Sequence, residues 1–417
     1  MPSRGLDMRT GWLGVALVAA LGGCGSGSAS KDAGASDAPA ADVPGVDAPA
    51  SDAPPADASG ADVAPDLPDF DAFGSDLPPR DASFDLTAAD GSDADGSAPP
   101  PGPYPRPTYT SLAETGLFVD PVTRQIADDA MPFEPTYWLW SDGADKRRWL
   151  RLPPGTQIDT TAMDHWVFPI GTKLWKEFSL DGVLLETRLI ERYGDGPEDY
   201  WMGAFVWNTD QTDAVLAPTG QTDINGTPHD APSQTDCLAC HRGDAGRVLG
   251  FSALQLSREP DARRVGPTLT DIVRRNLLTV PPDAPDGGSA PPFSVPGDAV
   301  TAAALGYLHA NCGHCHNKNG TAYPDTQMIL RLTTHETDAA SSDVYKSLVG
   351  VTLQYWRGGA ITRRVVAGDP DASAIVARMS ARGNKDQMPP LATEMTDPTG
   401  IGKVRAWIAA LPTTAAP

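Results

Sequence analysis

Cys237-Leu238-Ala239-Cys240-His241 and Cys312-Gly313-His314-Cys315-His316 share one pattern, Cys-x-x-Cys-His. Two thiols three positions apart on one helical turn reach the same side, and the next residue offers an imidazole. Thiols so placed can form thioethers with the two vinyl groups on one porphyrin edge, and the imidazole then lies beneath the ring, where it can bind iron. The pattern predicts two covalently attached c-type haems, held by Cys237, Cys240, Cys312 and Cys315, with His241 and His316 as iron ligands. With 5 Cys and 7 His in 417 residues, one chance match is expected in roughly one chain in a thousand. The competing chemistry is a tetrahedral Cys₄ zinc site. Against it stand the His that follows each pair and the 71 residues between Cys240 and Cys312.

A low-spin haem needs a second axial ligand, usually Met or His. For the second motif the choice lies among Met328, Met379, Met388 and Met395. Met388 precedes Pro389-Pro390, which hold the backbone extended and non-helical so that a loop can present the thioether. It follows a helix expected over residues 371–382 and lies 72 residues after His316, so Met388 is the expected ligand. The first motif has no such partner in view: His165, His229, His309, His335 and Met202 are candidates, and an open iron is the alternative.

The fifth cysteine has a different setting. Arg4 and Arg9 precede a short apolar run, Leu13 to Leu21, and then Leu21-Gly22-Gly23-Cys24. The run is too short to span a bilayer comfortably and has the charged start and small-residue exit of a secretory signal. Its end resembles the bacterial lipobox, which implies a signal over 1–23, lipid on Cys24 and attachment to a membrane. Gly25, in place of Asp, favours the outer membrane. The expected location is an exported lipoprotein facing the periplasm or the cell surface.

From 24 to 103 the chain is built of Asp, Ala, Pro, Ser and Gly, with sixteen Asp against Lys31 and Arg80, a net −14 of the chain's −22. So charged and so poor in large apolar groups, this segment is expected to be a disordered tether, with an r.m.s. span of roughly 50 Å. The acidic balance offers no basic footprint for nucleic acid.

Elements must then position the motifs. Seven of the Trp fall between Trp138 and Trp207, marking a β-rich domain over 104–236. Lys173–Leu180 and Val183–Arg192 flank Asp181-Gly182, a hairpin turn dipeptide. In the second strand Val183, Leu185, Thr187 and Leu189 face one way and Glu186, Arg188 and Arg192 the other, with Leu184 and Ile190 as exceptions. Further strands are expected at 147–152, 166–170 and 200–207. Together they read as an antiparallel β-sandwich or jelly-roll-like domain, whose aromatics could line a sugar-binding face. Residues 237–295 form a first haem-binding segment, and 296–417 an all-α, class I-like cytochrome c domain. In it a helix capped by Asp298 leads into the second motif and a helix over 401–411 closes the fold. The expected class is α+β multidomain.

The motifs lie within a wider likeness. The chain resembles a family of bacterial dihaem proteins with a β-rich N-terminal part and a C-terminal cytochrome c part. The matching residues are Arg148-Trp149-Leu150-Arg151-Leu152-Pro153-Pro154-Gly155-Thr156, Phe168-Pro169-Ile170-Gly171-Thr172, Glu186-Thr187-Arg188-Leu189, residues 206–214, Asn311 to Asn317 and Gly368 to Ser373. The likeness covers about 133–412. It implies a haem-binding electron carrier of the cell envelope with redox proteins as partners, and members often look like neighbours of parallel β-helix proteins, which points toward polysaccharide. It carries no catalytic residue over. The rival function is a dihaem peroxidase or oxidase with an open first iron, and a third reading makes the β-rich part a carbohydrate-docking module.

Overall fold

The computed structural model describes residues 105–283, 293–354 and 359–413, all within one compact unit. Cys24 and the 24–103 tether lie outside the described residues. No helix among those described is long and apolar enough to cross a membrane.

The class is α+β. Six strands form one antiparallel meander in chain order: β3 (Met131–Pro132), β4 (Asp145–Arg151), β5 (Lys173–Leu180), β6 (Val183–Arg192), β7 (Tyr200–Trp207) and β8 (Ala214–Leu216). A two-stranded ribbon, β1 (Phe118–Asp120) with β2 (Gln125–Ile126), precedes it. The β5–β6 hairpin turns at Asp181 and Gly182, both at positive φ (50° and 80°), which the right-handed twist of the flanking strands requires of a two-residue turn. The expected strand at 166–170 is absent. There Val167 makes a single bridge to Asp159, while Trp166 and Phe168 turn into the core.

One sheet face carries Trp149, Trp175, Leu189, Trp201, Phe205 and Trp207, packed beneath Leu112, Leu117, Phe118 and Ala130. The other face is covered in two places. Leu150 and Leu174 meet Phe133, Trp166, Phe168, Phe251, Leu269 and Ile272, and Leu185 and Ala204 meet Ile224 and Ala231. The layer opposite this face is therefore built of loops and short helices among the described residues, not of a second large sheet. The alternation in β6 shifts at a bulge, where Phe178 pairs with Glu186 but Ser179 with Leu184. One extra residue reverses which side chains point where, so Leu184 joins Leu189 and is no exception, while Leu185 packs on the opposite face.

Eight α-helices follow among the described residues, most of them a turn or two: α1 (Cys237–His241), α2 (Ala253–Leu256), α3 (Leu269–Arg274), α4 (Ala299–Asn311), α5 (Tyr323–Thr326), α6 (Asp343–Leu348), α7 (Ala374–Ser380) and α8 (Pro398–Ala410). Asp298 caps α4 by accepting from Thr301 N (2.8 Å), and Asp397 caps α8 through Gly400 N (2.8 Å); each satisfies an orphan donor of the first turn. The helix expected over 371–382 is shorter, because Ser373 has extended backbone (φ −100°, ψ 120°) and α7 begins only at Ala374. Leu305 and Leu308 of α4 pack with Val404, Trp407 and Ile408 of α8 in one buried core.

Several hydrogen bonds tie the β-rich and helical parts, among them Thr334 N to Asp164 Oδ1 (2.8 Å). Asn311 accepts from Trp140 N (2.7 Å) and donates to Trp138 O (3.0 Å). Asp142 Oδ1 accepts from Thr393 Oγ1, Glu394 N and Met395 N at 2.8–3.0 Å.

Candidate centre at the two Cys-x-x-Cys-His turns

The first motif is itself a helical turn, α1, held at its start by Asp236 Oδ2, which accepts from Ser233 N (3.1 Å) and Ser233 Oγ (2.6 Å). Gln234 Nε2 donates to Met202 O (2.7 Å), which moors the turn to β7. His241 Nδ1 lies 2.6 Å from Arg247 O. A carbonyl only accepts, so Nδ1 carries the proton and Nε2 keeps its lone pair, the arrangement that orients a metal-ligating histidine. Burial pushes His241 down to about 4, which keeps the ring neutral at pH 7. The carbonyl is fixed in turn, because the Arg247 guanidinium donates to Arg242 O (2.7 Å) and Glu198 Oε1 (2.9 Å).

The second motif begins where α4 ends. Gly313 fits because a Cβ there would stand 2.6 Å from His309 O and 2.9 Å from Arg331 Cα. His316 N donates to Cys312 O (2.9 Å), and burial lowers His316 to about 4. Its Nδ1 stands 3.5 Å from Thr326 Oγ1, at the limit of a hydrogen bond. Cys312, Cys315, His316 and Met388 line one cleft, walled also by Leu330, Leu353 and Ile375. Met328 and Met379 line it too, so the cleft gathers three of the four methionines considered. Met395 is exposed at 45%. Burial holds the Cys312 thiol neutral, pushed up to about 12.

The two motifs, far apart in sequence, lie against each other. The ligand atoms of Cys240, His314 and Cys315 fall within 4.8 Å of one another. Ala239 O accepts from Cys315 Sγ (3.3 Å) and Thr321 Oγ1 (3.0 Å). A Cβ on Gly243 would sit 2.3 Å from His314 O. Arg331 clasps the junction, pairing with Asp244 (2.6 Å) and donating to Gly243 O (3.4 Å). A hydrogen bond shared by the Cys240 and Cys315 thiols makes Cys240 the easier to ionise and Cys315 the harder.

The five other candidate ligands separate by environment. His229 is buried with Nε2 at 2.8 Å from Glu186. His309 accepts from Leu332 N at Nδ1 (3.0 Å), and burial lowers it to about 3. His335 is exposed. His165 has a buried Nδ1 with no hydrogen-bond partner. Met202 is buried and belongs to none of the apolar clusters.

Sequence reasoning missed a group beside the first motif. On one face of the sheet Arg148, Lys176 and Arg188 stand in register on β4, β5 and β6, with Lys146 two residues along. Arg188 Nε donates to Glu186 Oε1 (2.9 Å). Burial, with Arg148 beside it, brings Lys146 down to about 8, and burial brings Arg148 down to about 10. Burial and the neighbouring Arg148, Arg188 and Lys146 hold Lys176 well below its ordinary value. Period-two counting places Lys146 and Arg148 on one side of β4, but their burial depends on what covers that side. Compared with known proteins, the chain matches no family model, no curated protein and no solved structure.

Proposed function

We propose that the protein is a dihaem c-type cytochrome that carries electrons in the cell envelope, anchored through lipid on Cys24. The carrying observation is the convergence of Cys312, Cys315, His316 and Met388 on one largely apolar cleft, the donor set that a covalently held, six-coordinate haem uses. In the first motif Cys237 and Cys240 would make the thioethers and His241, its Nδ1 proton fixed on Arg247 O, would offer Nε2 to iron. Each bound haem supplies a one-electron ferric/ferrous couple. The chain's own part is to keep both imidazoles neutral, to shield the second site with apolar walls, and to hold the two attachment turns in contact through Ala239, Cys240, His314 and Cys315. That contact favours a relay over two independent sites. The helical part, with α4 entering the motif and α8 closing on it, suits a small cytochrome c fold. The sheet suits a scaffold more than a sandwich with a glycan-binding face, since Trp149, Trp166, Trp175, Trp201 and Trp207 are all buried. Redox proteins of the envelope are the partners this reading implies.

The test is expression with a haem-attachment system, then intact mass and redox-resolved spectra. The expected product gains two haems, and any other number overturns the proposal. Spin state separates the carrier from a peroxidase or oxidase: a carrier shows two low-spin, six-coordinate irons in both oxidation states. A second reading has one observation of its own. The Cys240–His314–Cys315 cluster could instead hold a thiolate-loving metal such as zinc. Stoichiometric zinc in protein that lacks haem would favour it.

A further inference from the structure

The cations on the sheet face lack matching anions. Among the described residues Arg148 and Lys176 form no salt bridge with any carboxylate. Arg148 is 5% exposed, with Nη1 buried and without a hydrogen-bond partner. It lies over the Trp138 ring (5.4 Å) as Lys176 lies over Phe178 (4.6 Å). Lys146 donates only to the carbonyl of Ala144 (2.7 Å). Glu186, the carboxylate that this face itself carries, serves Arg188 and His229 through Oε1, its Oε2 being buried without a hydrogen-bond partner, and it pairs with neither Arg148 nor Lys176. Buried charge without a partner is costly, so the face is built for an anion.

Register says where that anion ends. The stretch that leads into Cys237 is moored to β7 by Gln234 and to β6 by His229 on Glu186 and by Asp230 O, which accepts from Arg188 (3.4 Å). Lys176 and Arg148 lie one and two strands further from that mooring. The row thus runs away from the first attachment turn across the sheet, over two strand spacings or roughly 10 Å. A porphyrin held by thioethers at one edge carries its two propionates at the opposite edge.

We propose that Arg148 and Lys176, supported by Lys146, bind the propionate carboxylates of the haem attached at Cys237 and Cys240. This rests on the dihaem reading above and adds the residues that orient the first haem on the sheet. It also sets that haem's potential, because cations beside the propionates favour the ferrous state.

The test uses the matured dihaem protein. Lys176→Gln and Arg148→Gln should each leave two haems by mass and lower one of the two reduction potentials. The expected shift is about tenfold toward the ferric form, ~59 mV for a one-electron couple, with the other potential unchanged and Lys176→Arg restoring the original value. A second measurement needs no variant. Carbodiimide-driven amidation of the native wild type should spare the propionates on the Cys237–Cys240 haem peptide and modify them after denaturation. If the Gln variants fail to mature, this measurement decides alone. Two haems by mass with unmoved potentials, or first-haem propionates amidated as readily in the native protein as in the denatured one, overturn the proposal and leave the cytochrome reading intact. Absence of haem overturns both.

Discussion

Gly306 sits mid-way along α4, and replacing it with alanine sets two effects against each other. In an open helix Gly→Ala gains about 1 kcal/mol. Here the added Cβ would stand 2.1 Å from Cε1 and 2.3 Å from Cδ1 of Tyr137, well inside contact distance. The ring cannot swing away freely. Tyr137 N donates to Gln255 Oε1 (2.9 Å), Thr136 Oγ1 donates to Gln255 O (2.8 Å), and the ring packs on the α4–α8 core. Overpacking of this kind costs about 1–3 kcal/mol, so the clash outweighs the propensity gain. The net loss is on the order of 0–2 kcal/mol, and each kcal/mol lowers Tm by roughly 2–4 °C in a body of this size class. Thermal and urea unfolding followed by circular dichroism would measure it. The same substitution made on a Tyr137→Leu background should become neutral or stabilising, since nothing then opposes the helix propensity. A rise in Tm for Gly306→Ala alone would refute the claim that this glycine exists to admit the ring.

Met388→Ala should remove methionine ligation from the second haem, seen as loss of the ferric methionine–iron charge-transfer band and a fall in that potential, while Met328→Ala and Met379→Ala retain the band. Asp142→Ala strips three donors of their acceptor and should cost about 1.5–3 kcal/mol, measured by urea unfolding; Asp142→Asn, which tolerates the positive φ of 48°, should recover part of it. The haem-free chain should lose stability as pH falls from about 6.5 toward 4. His241, His309 and His316 are held neutral when folded, at about 4, 3 and 4, and protonate near 6.5 when unfolded. The unfolded state then binds more protons throughout that window, so stability is full above it and declines within it. A Tm that stays flat between pH 7.5 and 4.5 would count against that burial.

Local chemistry was legible in the sequence and mutual placement was not. Asp181-Gly182 gave the β5–β6 hairpin to the residue, and Asp298 gave the start of α4, because turn and cap preferences act over two to four neighbouring positions. The bulge at Leu184–Leu185 was not visible, since a register shift is decided by the pairing with β5 rather than by β6 itself. Alternation put Glu186 and Arg188 on the side opposite Leu189 without saying what covers it. They are interior because residues 224–231 fold over them, with His229 on Glu186 and Asp230 O on Arg188. Phe168 left its expected strand for a core shared with Phe251 (ring centroids 6.2 Å apart), a partner eighty-three positions away. The motifs could be read as motifs, but their contact depends on Arg331, Asp244 and two close-approach glycines, and no spacing rule reports it.

The nearness of Cys240 to Cys315 bears on the order of assembly. In an oxidising compartment two adjacent thiols are the pair an oxidant joins, with loss of two protons and two electrons, into a disulfide. Each half of that bridge would come from a different motif, so under the dihaem proposal a chain that folded first would consume one attachment point of both haems at once. That proposal then requires that both thiols be kept reduced until the thioethers form, and that folding come after attachment.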